Sequence, residues 1–285
     1  MRNLLVILTV SFMSTSLWAE NKTDISLGWK GKPRTETIIT SDTGDLYDKV
    51  EHHGPAIENE WVGYRIYFNY KCAIDIYNKS QPHLELAQAA WYPTPEQQQN
   101  GWGADQYKAG ETMGLGGVRL WDGEKVVFLN PVSKRTARVR KEANISYMEM
   151  LSEDVPYMGR KVDILMRVTV FSGMREAKVE AFALCDEPVQ FVTGINYHPE
   201  TKTKQGDNYI LTWGIHPEDV AAFQLNIGAG LIYNPDDYVS INKAEKEYQL
   251  ISKPTKMLET WITSACEKEA ELNSLETFTE YMEKF

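Results

Sequence analysis

Residues 52–77 read HHGPAIENEWVGYRIYFNYKCAIDIY, and this stretch decides the fold class. From Trp61 to Asn69 the side chains alternate between an apolar and a more polar set. One set is Val62, Tyr64, Ile66 and Phe68, and the other is Trp61, Arg65, Tyr67 and Asn69. That alternation has the two-residue period of a half-buried β-strand. Residues 69–71 can turn and alternation resumes from Cys72 to Tyr77, so the stretch predicts a β-hairpin.

Further alternating segments follow along the chain, with short turns between them. Asp122-Gly123, between two apolar runs, is a strong signal for a two-residue hairpin turn within Gly116–Leu129. Other strands are predicted at 136–150, 161–171, 176–184, 189–194, 209–213, 223–232 and 257–266. Ser274 is a suitable N-cap for a terminal amphipathic helix. The sequence therefore predicts an all-β fold, an antiparallel β-sandwich with long loops and one C-terminal helix.

The first nineteen residues have the layout of a secretory signal peptide. Arg2 gives the positive start, an apolar stretch follows, and Ala19 offers a cleavage site before Glu20. The apolar run is short for a membrane span. We expect an exported protein, periplasmic or secreted and free of the membrane after signal removal, with residues 1–19 as the signal and 20–285 as a single domain. Residues 20–50 are polar and turn-rich and are predicted to form a loose arm with one strand.

Charge and cysteine content exclude some classes of protein. The formal net charge of −10 and pI of about 5.1 disfavour a nucleic-acid partner. Three cysteines, Cys72, Cys185 and Cys266, are too few for a disulfide framework in a chain of 285 residues. One disulfide is possible, but three buried thiols are the favoured interpretation. The oligomeric state is not indicated.

Three of the five histidines lie beside turn-forming residues, in His53-Gly54-Pro55, His198-Pro199 and His216-Pro217. Loop ends at the rim of a sheet are where functional sites tend to lie. A purely structural role is the commoner outcome for any one histidine. A zinc ion held by His53, His198 and His216 is possible, although their spacing matches no known ligand motif.

Arg65 and Tyr67 share one predicted strand face. The Arg65 guanidinium could contact a carboxylate at two points, and Tyr67 could act as acid or base. The alternative is a surface salt bridge on an outward sheet face. Residues 81–110 form a long irregular loop, which in a compact domain is usually functional. Its Trp91 and Trp102 could stack on sugar rings, although core filling accounts for most tryptophans.

The block at residues 52–79 resembles a family of exported bacterial proteins known as domain of unknown function 4861. The segments WGADQYKAGETMGLGGVRLWDGEKV, FVTGINYHP, TWGIH and CEKEAELNSLETFTEYMEKF resemble it as well. The resemblance covers most of the mature chain. It implies a role in polysaccharide utilisation, by an activity similar to an oligosaccharide dehydratase that removes water from a non-reducing-end uronic acid. Cleavage by β-elimination at the same uronic acid is the other form that this activity could take. Residues 20–285 would then be a carbohydrate-active domain whose partner is a uronate-containing oligosaccharide.

The resemblance also directs attention to particular residues. The matching positions are His53, Asn59, Arg65, Tyr67, Asp105, Lys108, His198 and His216. In such a reaction a base removes the proton next to a carboxylate whose charge must be neutralised, and an acid assists the departing hydroxyl.

We therefore expect Arg65, with Lys108 or a histidine, to neutralise the carboxylate. Tyr67 or His53 would be the base, and His198 or His216 the acid. Asn59 and Asp105 would hold hydroxyls, and zinc on the histidines could replace the arginine.

Two alternatives belong to other classes of protein. A non-catalytic carbohydrate-binding protein would use the same tryptophans without an acid–base pair. A glycoside hydrolase needs two carboxylates on either side of a bond. Glu58 and Glu60 are the nearest candidates, but their spacing on one strand places them too close together.

Overall fold

The computed structural model describes residues 20–218 and 220–285. The predicted signal peptide lies outside these residues. No helix within the described ranges is long and apolar enough to cross a membrane.

The fold is all-β and antiparallel, as the sequence predicts, and the strands of the described residues form three sheets. The largest has nine strands, in the order β13 (Thr201–Gln205), β14 (Tyr209–Gly214), β15 (Ile227–Ile232), β18 (Met257–Cys266), β11 (Ala177–Ala183), β10 (Arg160–Phe171), β9 (Ile145–Tyr157), β8 (Lys134–Lys141) and β2 (Ile38–Ser41). The second has five, in the order β16 (Tyr238–Lys243), β17 (Glu247–Ser252), β12 (Phe191–Asn196), β6 (Leu115–Trp121) and β7 (Val126–Val127). The third has four, in the order β1 (Asp24–Ser26), β3 (Ala56–Glu58), β4 (Val62–Ile66) and β5 (Ile74–Asn78).

The two smaller sheets pack on one face of the nine-stranded sheet. The main core is buried between these two sheets and the large one. Tyr64 of β4 donates its hydroxyl to the carbonyl of Ile262 in β18. Gly116 of β6 lies so close to the large sheet that an added Cβ would meet the Ile262 side chain at 2.7 Å. Ile210 of β14 joins this core, whereas its neighbour Leu211 packs on the opposite face.

The terminal helix, α3 (Leu275–Met282), covers that opposite face. The Ser274 hydroxyl accepts a hydrogen bond from the N–H of Thr277, which confirms the predicted N-cap. Phe278 packs so closely on β15 that a Cβ at Gly228 would meet its ring at 2.8 Å. The apolar face of α3 therefore provides a second, smaller core.

The predicted hairpin at the start of the chain is confirmed, but it is buried on both faces. Strands β4 and β5 pair from Val62↔Asn78 to Ile66↔Ile74. All of their residues are buried, rather than one face as the alternation predicts. The reason is the 81–110 loop, which folds over the second face and contains two short helices, α1 (Leu86–Ala89) and α2 (Pro95–Gln99).

The second hairpin forms between β6 and β7, with a longer connection than predicted. Trp121 pairs with Val126, so four residues make the turn instead of two. The Asp122 carboxylate closes it by accepting the N–H groups of Glu124 and Lys125, at 3.0 and 2.9 Å. An aspartate that bonds to the backbone ahead of it favours this wider turn.

Other strand predictions need correction. Residues 136–150 form parts of two strands, β8 and β9, and strands β3, β13, β16 and β17 were not predicted. The 20–50 arm is attached through two strands, with β2 at the edge of the large sheet. All three cysteines are free thiols, as the favoured interpretation of the sequence predicts. Cys72 and Cys266 are buried, but Cys185 is only partly buried.

Candidate functional site

The site is built around the buried guanidinium of Arg65. Antiparallel pairing places Asp75 of β5 directly opposite Arg65 on β4. The Asp75 carboxylate accepts hydrogen bonds from Arg65 Nε and Nη2, and Nη2 also donates to Asp105 at 2.8 Å. Burial raises the pKa of Asp75, against the opposing effect of Arg65. One cation is thus shared by two carboxylates inside the protein.

Aromatic rings complete the enclosure of this cation. The Arg65 guanidinium carbon lies 4.6 Å from the centre of the Trp91 ring and 5.0 Å from that of Tyr67, distances suited to cation–π attraction. Arg65 Nη1 donates to the Tyr92 hydroxyl at 2.9 Å and to the His52 carbonyl at 3.3 Å. Only 3% of Arg65 is exposed. Arg65 therefore binds parts of the protein together, instead of presenting a free fork to a ligand carboxylate as predicted.

Tyr67 is engaged by the same network. It lies just beyond the end of β4, and its hydroxyl donates to Asp75 at 2.8 Å and accepts from Arg65 Nη2 at 3.2 Å. Burial raises the pKa of Tyr67 far above its ordinary value. The phenol is neutral and its proton is directed at Asp75, so Tyr67 is poorly placed to act as the base.

His53 is positioned by a strained turn. A short 3₁₀ helix, Glu51–His53, contains left-handed backbone at His52 (φ 41°) and His53 (φ 64°), which costs each non-glycine residue about 1–2 kcal/mol. The His53 carbonyl accepts from the N–H of Phe68 at 2.8 Å, which ties the turn to the end of β4. Strain of this kind is found at functional sites more often than elsewhere.

The hydrogen bonds of His53 decide its tautomer. Its ring stacks on Tyr47 with centroids 3.9 Å apart, and Nδ1 lies 2.9 Å from the Tyr47 carbonyl. A carbonyl only accepts, so Nδ1 carries the proton and Nε2 presents its lone pair. Burial lowers the pKa of His53 below its ordinary value. His53 is therefore a neutral base near pH 7.

Tyr92 lies on the other side of the site. It is 41% exposed, and its ring centre is 6.4 Å from that of His53. It follows Ala90 and Trp91, which both have left-handed backbone. Because its hydroxyl accepts from Arg65 Nη1, its own proton can be directed elsewhere. Burial raises the pKa of Tyr92, and the Arg65 charge opposes that effect.

Lys71 supplies a cation at the edge of the site. Its ammonium lies 5.6 Å from the centre of the Tyr67 ring. It donates to the Gly110 carbonyl at 2.9 Å and pairs with Glu111 at 3.3 Å. The Lys71 side chain is 14% exposed and the Glu111 side chain 69%, so the carboxylate is the solvent-facing partner of this ion pair. We call the group of His53, Tyr92, Tyr67, Tyr47 and Lys71 the His53 site.

His198 and His216 hold a backbone segment. His216 Nδ1 accepts the N–H of Lys108 at 3.1 Å, and His198 Nε2 donates to the Lys108 carbonyl at 2.9 Å. Asn196 donates to the same carbonyl at 2.7 Å. Burial lowers the pKa of both histidines, so both are neutral. They fix the peptide of Lys108, three residues after Asp105, and so orient the segment that brings Asp105 to Arg65.

The three predicted zinc ligands do not come together. His198 and His216 contact each other, with ring centres 4.4 Å apart. No ring contact within residues 20–218 and 220–285 joins either of them to His53. The same residues contain no group of three His, Cys, Asp or Glu side chains that could hold a metal ion. The residues therefore do not fit the zinc site.

The remaining predicted contacts have different surroundings. Asn59 is fully buried in a turn, where it accepts from the N–H groups of Trp61 and Val62 at 2.9 Å. Trp91 is buried beneath Arg65 and offers no face to a ligand. Trp102 is partly exposed, with its ring edge-on to His83. Asn59 and Trp91 are thus structural, and Trp102 stays a candidate contact.

Sequence reasoning missed four residues that the structure places here. They are Tyr47, Lys71, Asp75 and Tyr92. Asp75 lies within the predicted hairpin and could have been paired with Arg65 from the register. Tyr92 lies in the irregular 81–110 loop, where the tryptophans are the stronger sequence signal for sugar contact. Tyr47 and Lys71 carry no local signal.

The fold and this site define an all-β sandwich protein with a buried arginine network at the end of a hairpin. The family profile described as "Domain of unknown function (DUF4861)" matches residues 17–285. The chain belongs to this family, as the resemblance predicts. No curated protein sequence matches it.

Two solved structures are distantly similar. One is a crystal structure of a protein described as an aldose 1-epimerase from Klebsiella pneumoniae subsp. pneumoniae, 11% identical, with 92% of this chain and 94% of that chain covered and a TM-score of 0.41. The other is 4-alpha-glucanotransferase from Thermococcus litoralis, 10% identical, with 75% of this chain covered and a TM-score of 0.37. This chain spans 38% of the glucanotransferase.

Arg65→Met should destabilise the protein strongly. Loss of the cation leaves Asp75 and Asp105 uncompensated, and breaking a buried pair of this kind costs about 3–5 kcal/mol. Arg138→Met is the matched control, because the Arg138 side chain is 54% exposed and should lose less than about 1 kcal/mol. Urea unfolding followed by tryptophan fluorescence measures both. Equal losses in the two variants would contradict the role given to Arg65.

We expect the buried His52 to lower the free energy of unfolding in acid. It is buried, with Nδ1 bonded to the Gly54 carbonyl and Nε2 to the Ser26 hydroxyl, and burial lowers its pKa to about 3. The unfolded chain binds a proton near pH 6.5 while the folded state does not, so stability falls as pH drops below 6.5, by about 1.4 kcal/mol per unit. His52→Asn, which tolerates the left-handed backbone, removes this term.

The difference between the two proteins measures the effect. Between pH 7 and pH 5 the variant should lose about 2 kcal/mol less than the parent in its free energy of unfolding. Urea titrations at both pH values give the comparison. Identical losses would show that His52 does not stay neutral in the folded protein.

Proposed function

We propose that this protein is a carbohydrate-active enzyme of polysaccharide degradation. It eliminates water from the non-reducing-end uronic acid of an oligosaccharide, as a carbon–oxygen lyase of the hydro-lyase type. The observation that carries the proposal is the pairing of a neutral His53, with Nε2 free to accept a proton, with Tyr92, whose hydroxyl accepts from Arg65. The choice of reaction follows the dehydratase-like activity that the sequence resemblance implies; the family description itself names no activity.

The elimination needs one proton acceptor and one donor. His53 Nε2 removes the proton from C5 of the uronate, and the electron pair forms the C4=C5 double bond. The C4–O bond breaks, and the Tyr92 hydroxyl gives its proton to the departing oxygen, which leaves as water. Arg65 Nη1, 2.9 Å from the Tyr92 oxygen, stabilises the phenolate. A proton then passes from His53 through solvent to Tyr92 and restores both groups.

The carboxylate of the substrate also needs a cation, since the C5 proton is too weakly acidic beside a free negative charge. Arg65 already serves Asp75 and Asp105, so Lys71 takes this role in the proposal. Lys71 would exchange the exposed Glu111 carboxylate for that of the substrate. A local cation matters in a chain whose net charge is −10.

The other predicted residues serve this site indirectly. His198 and His216 orient the segment before Lys108, and Asp105 holds Arg65, so none of these three needs to touch the substrate. Trp102 is partly exposed and could stack on a neighbouring sugar. The enzyme would act outside the cytoplasm, periplasmic or secreted, on a uronate-containing substrate.

The two carboxylates that a glycoside hydrolase would need, those of Glu58 and Glu60, are engaged elsewhere. Glu58 is buried against Lys79 and accepts the N–H groups of Glu85 and Leu86. Glu60 is bound to the N–H of Gly173. Neither carboxylate is placed to attack a bond. Non-catalytic sugar binding stays the alternative that experiment must separate from elimination.

The test is formation of an unsaturated uronate. The protein is incubated with a panel of uronate-terminated oligosaccharides, and absorbance in the ultraviolet band of the C4=C5 conjugated carboxylate is followed. We expect product with the parent protein and a loss of at least about 100-fold in kcat/KM for His53→Gln, as for removal of a general base. Tyr92→Phe and Lys71→Met should each cost about 10-fold or more.

Tyr70→Phe is the matched control, because its exposed hydroxyl bonds to Glu111 at the edge of the site without touching His53. It should keep its activity. Burial lowers the pKa of His53, and His53 must be neutral to act as the base. The midpoint of the acid limb of the pH–rate profile should therefore lie below pH 6.5. Binding of the oligosaccharides without any unsaturated product across the panel would identify a binding protein and reject the enzyme.

A further inference from the structure

A second cleft lies at the other end of β4 from the His53 site. It measures about 330 Å³. Trp61 comes just before β4 and Tyr67 just after it, so the strand rise alone separates the two places by about 20 Å. The residues that line the cleft come from four parts of the chain. They are Trp61, the 79–82 segment, Arg175 and the 269–271 segment.

One wall of this cleft is rigid. The Arg175 guanidinium lies 5.7 Å from the centre of the partly exposed Trp61 ring. It forms a two-point ion pair with Glu269, at 3.2 and 2.5 Å, and donates to the Ser264 carbonyl at 2.8 Å. Both charged side chains are about nine-tenths buried. The indole and the ion pair are therefore held in place before any ligand arrives.

The rim of the cleft offers varied polar groups. Ser80, Gln81 and Glu271 contribute a hydroxyl, an amide and a carboxylate, and the last two are exposed. Lys79 contributes no free charge, because its buried ammonium is bound to Glu58 and to the Asn59 and His83 carbonyls. A sugar ring needs this combination of an aromatic face and acceptors or donors for its hydroxyls.

The charges of the cleft select among sugars. Glu269 balances Arg175, and Glu58 balances Lys79, so Glu271 leaves a net negative charge. A uronate carboxylate would be repelled here, in contrast to the His53 site with its Lys71. An uncharged ring would be accepted without an electrostatic cost.

We propose that this cleft is a second saccharide-binding site, which holds an uncharged pyranose ring of an oligosaccharide. The apolar C–H face of the ring lies on Trp61, and its hydroxyls bond to Gln81, Glu271 and the Arg175–Glu269 pair. The site would bind an uncharged part of a sugar chain. The inference does not depend on the reaction proposed for the His53 site.

The test uses the full protein with four probes, namely xylotetraose, mannotetraose, cellotetraose and tetragalacturonate. Saturation-transfer NMR detects contact, and calorimetry gives the association constant. We expect at least one neutral probe to bind, and Trp61→Ala to lower its association constant at least 10-fold. Trp29→Ala is the matched control, because Trp29 is an exposed tryptophan outside the cleft and should leave binding unchanged.

Trp61 also packs against the core, so Trp61→Ala could lose binding through misfolding alone. Two variants at the rim of the cleft test binding without that complication. Gln81→Ala and Glu271→Ala change exposed side chains and should weaken binding at least 3-fold with an unchanged Tm. His53→Gln should bind the neutral probe as the parent does, which separates this site from the elimination site. The proposal is overturned if no neutral probe binds, or if binding survives in the rim variants. Equally tight binding of tetragalacturonate that depends on Trp61 would overturn its charge preference.

Discussion

The burial of the Arg65 charge is the constraint on which the site depends. A guanidinium that is withdrawn from water needs compensating charges and acceptors. Asp75 meets this need from the paired strand, but Asp105 and Tyr92 come from the 81–110 loop. The loop must therefore fold over the hairpin for the cation to be satisfied. Its closure buries the second face of β4 and β5 and places Tyr92 opposite His53.

The fold was largely predictable because most strands carry their own pattern. The hairpin over 61–77, the strand chosen over a helix at 257–266 and the capping serine of α3 are predictions that the structure confirms. Strand β13, TKTKQ, was missed because an exposed edge strand has no apolar face to alternate. The two short helices in the loop were missed because four or five residues carry too little periodicity to be recognised.

The grouping of some candidate residues was predictable from the sequence, but their surroundings were not. The sequence singles out Arg65, Tyr67, His53 and Asp105, and the structure brings these four together or to adjoining positions. Their roles depend on burial and on which atoms already have partners, and both follow from contacts between distant segments. His198 and His216 illustrate the limit, since each reads as a catalytic candidate and each is engaged by the backbone of Lys108. Only the folded chain decides that question.

The state of the His53 ring tests the account most directly. Nitrogen NMR of the protein labelled at histidine, with His53→Gln used to assign the signal, reports which ring nitrogen carries the proton and how the ring titrates. We expect a neutral ring at pH 7 with the proton on Nδ1, an apparent pKa below 6.5, and a shift of the Nε2 signal on addition of a uronate-terminated oligosaccharide. A proton on Nε2 at pH 7, or an Nε2 signal that does not shift when the oligosaccharide is added, would contradict the role of His53 as the base.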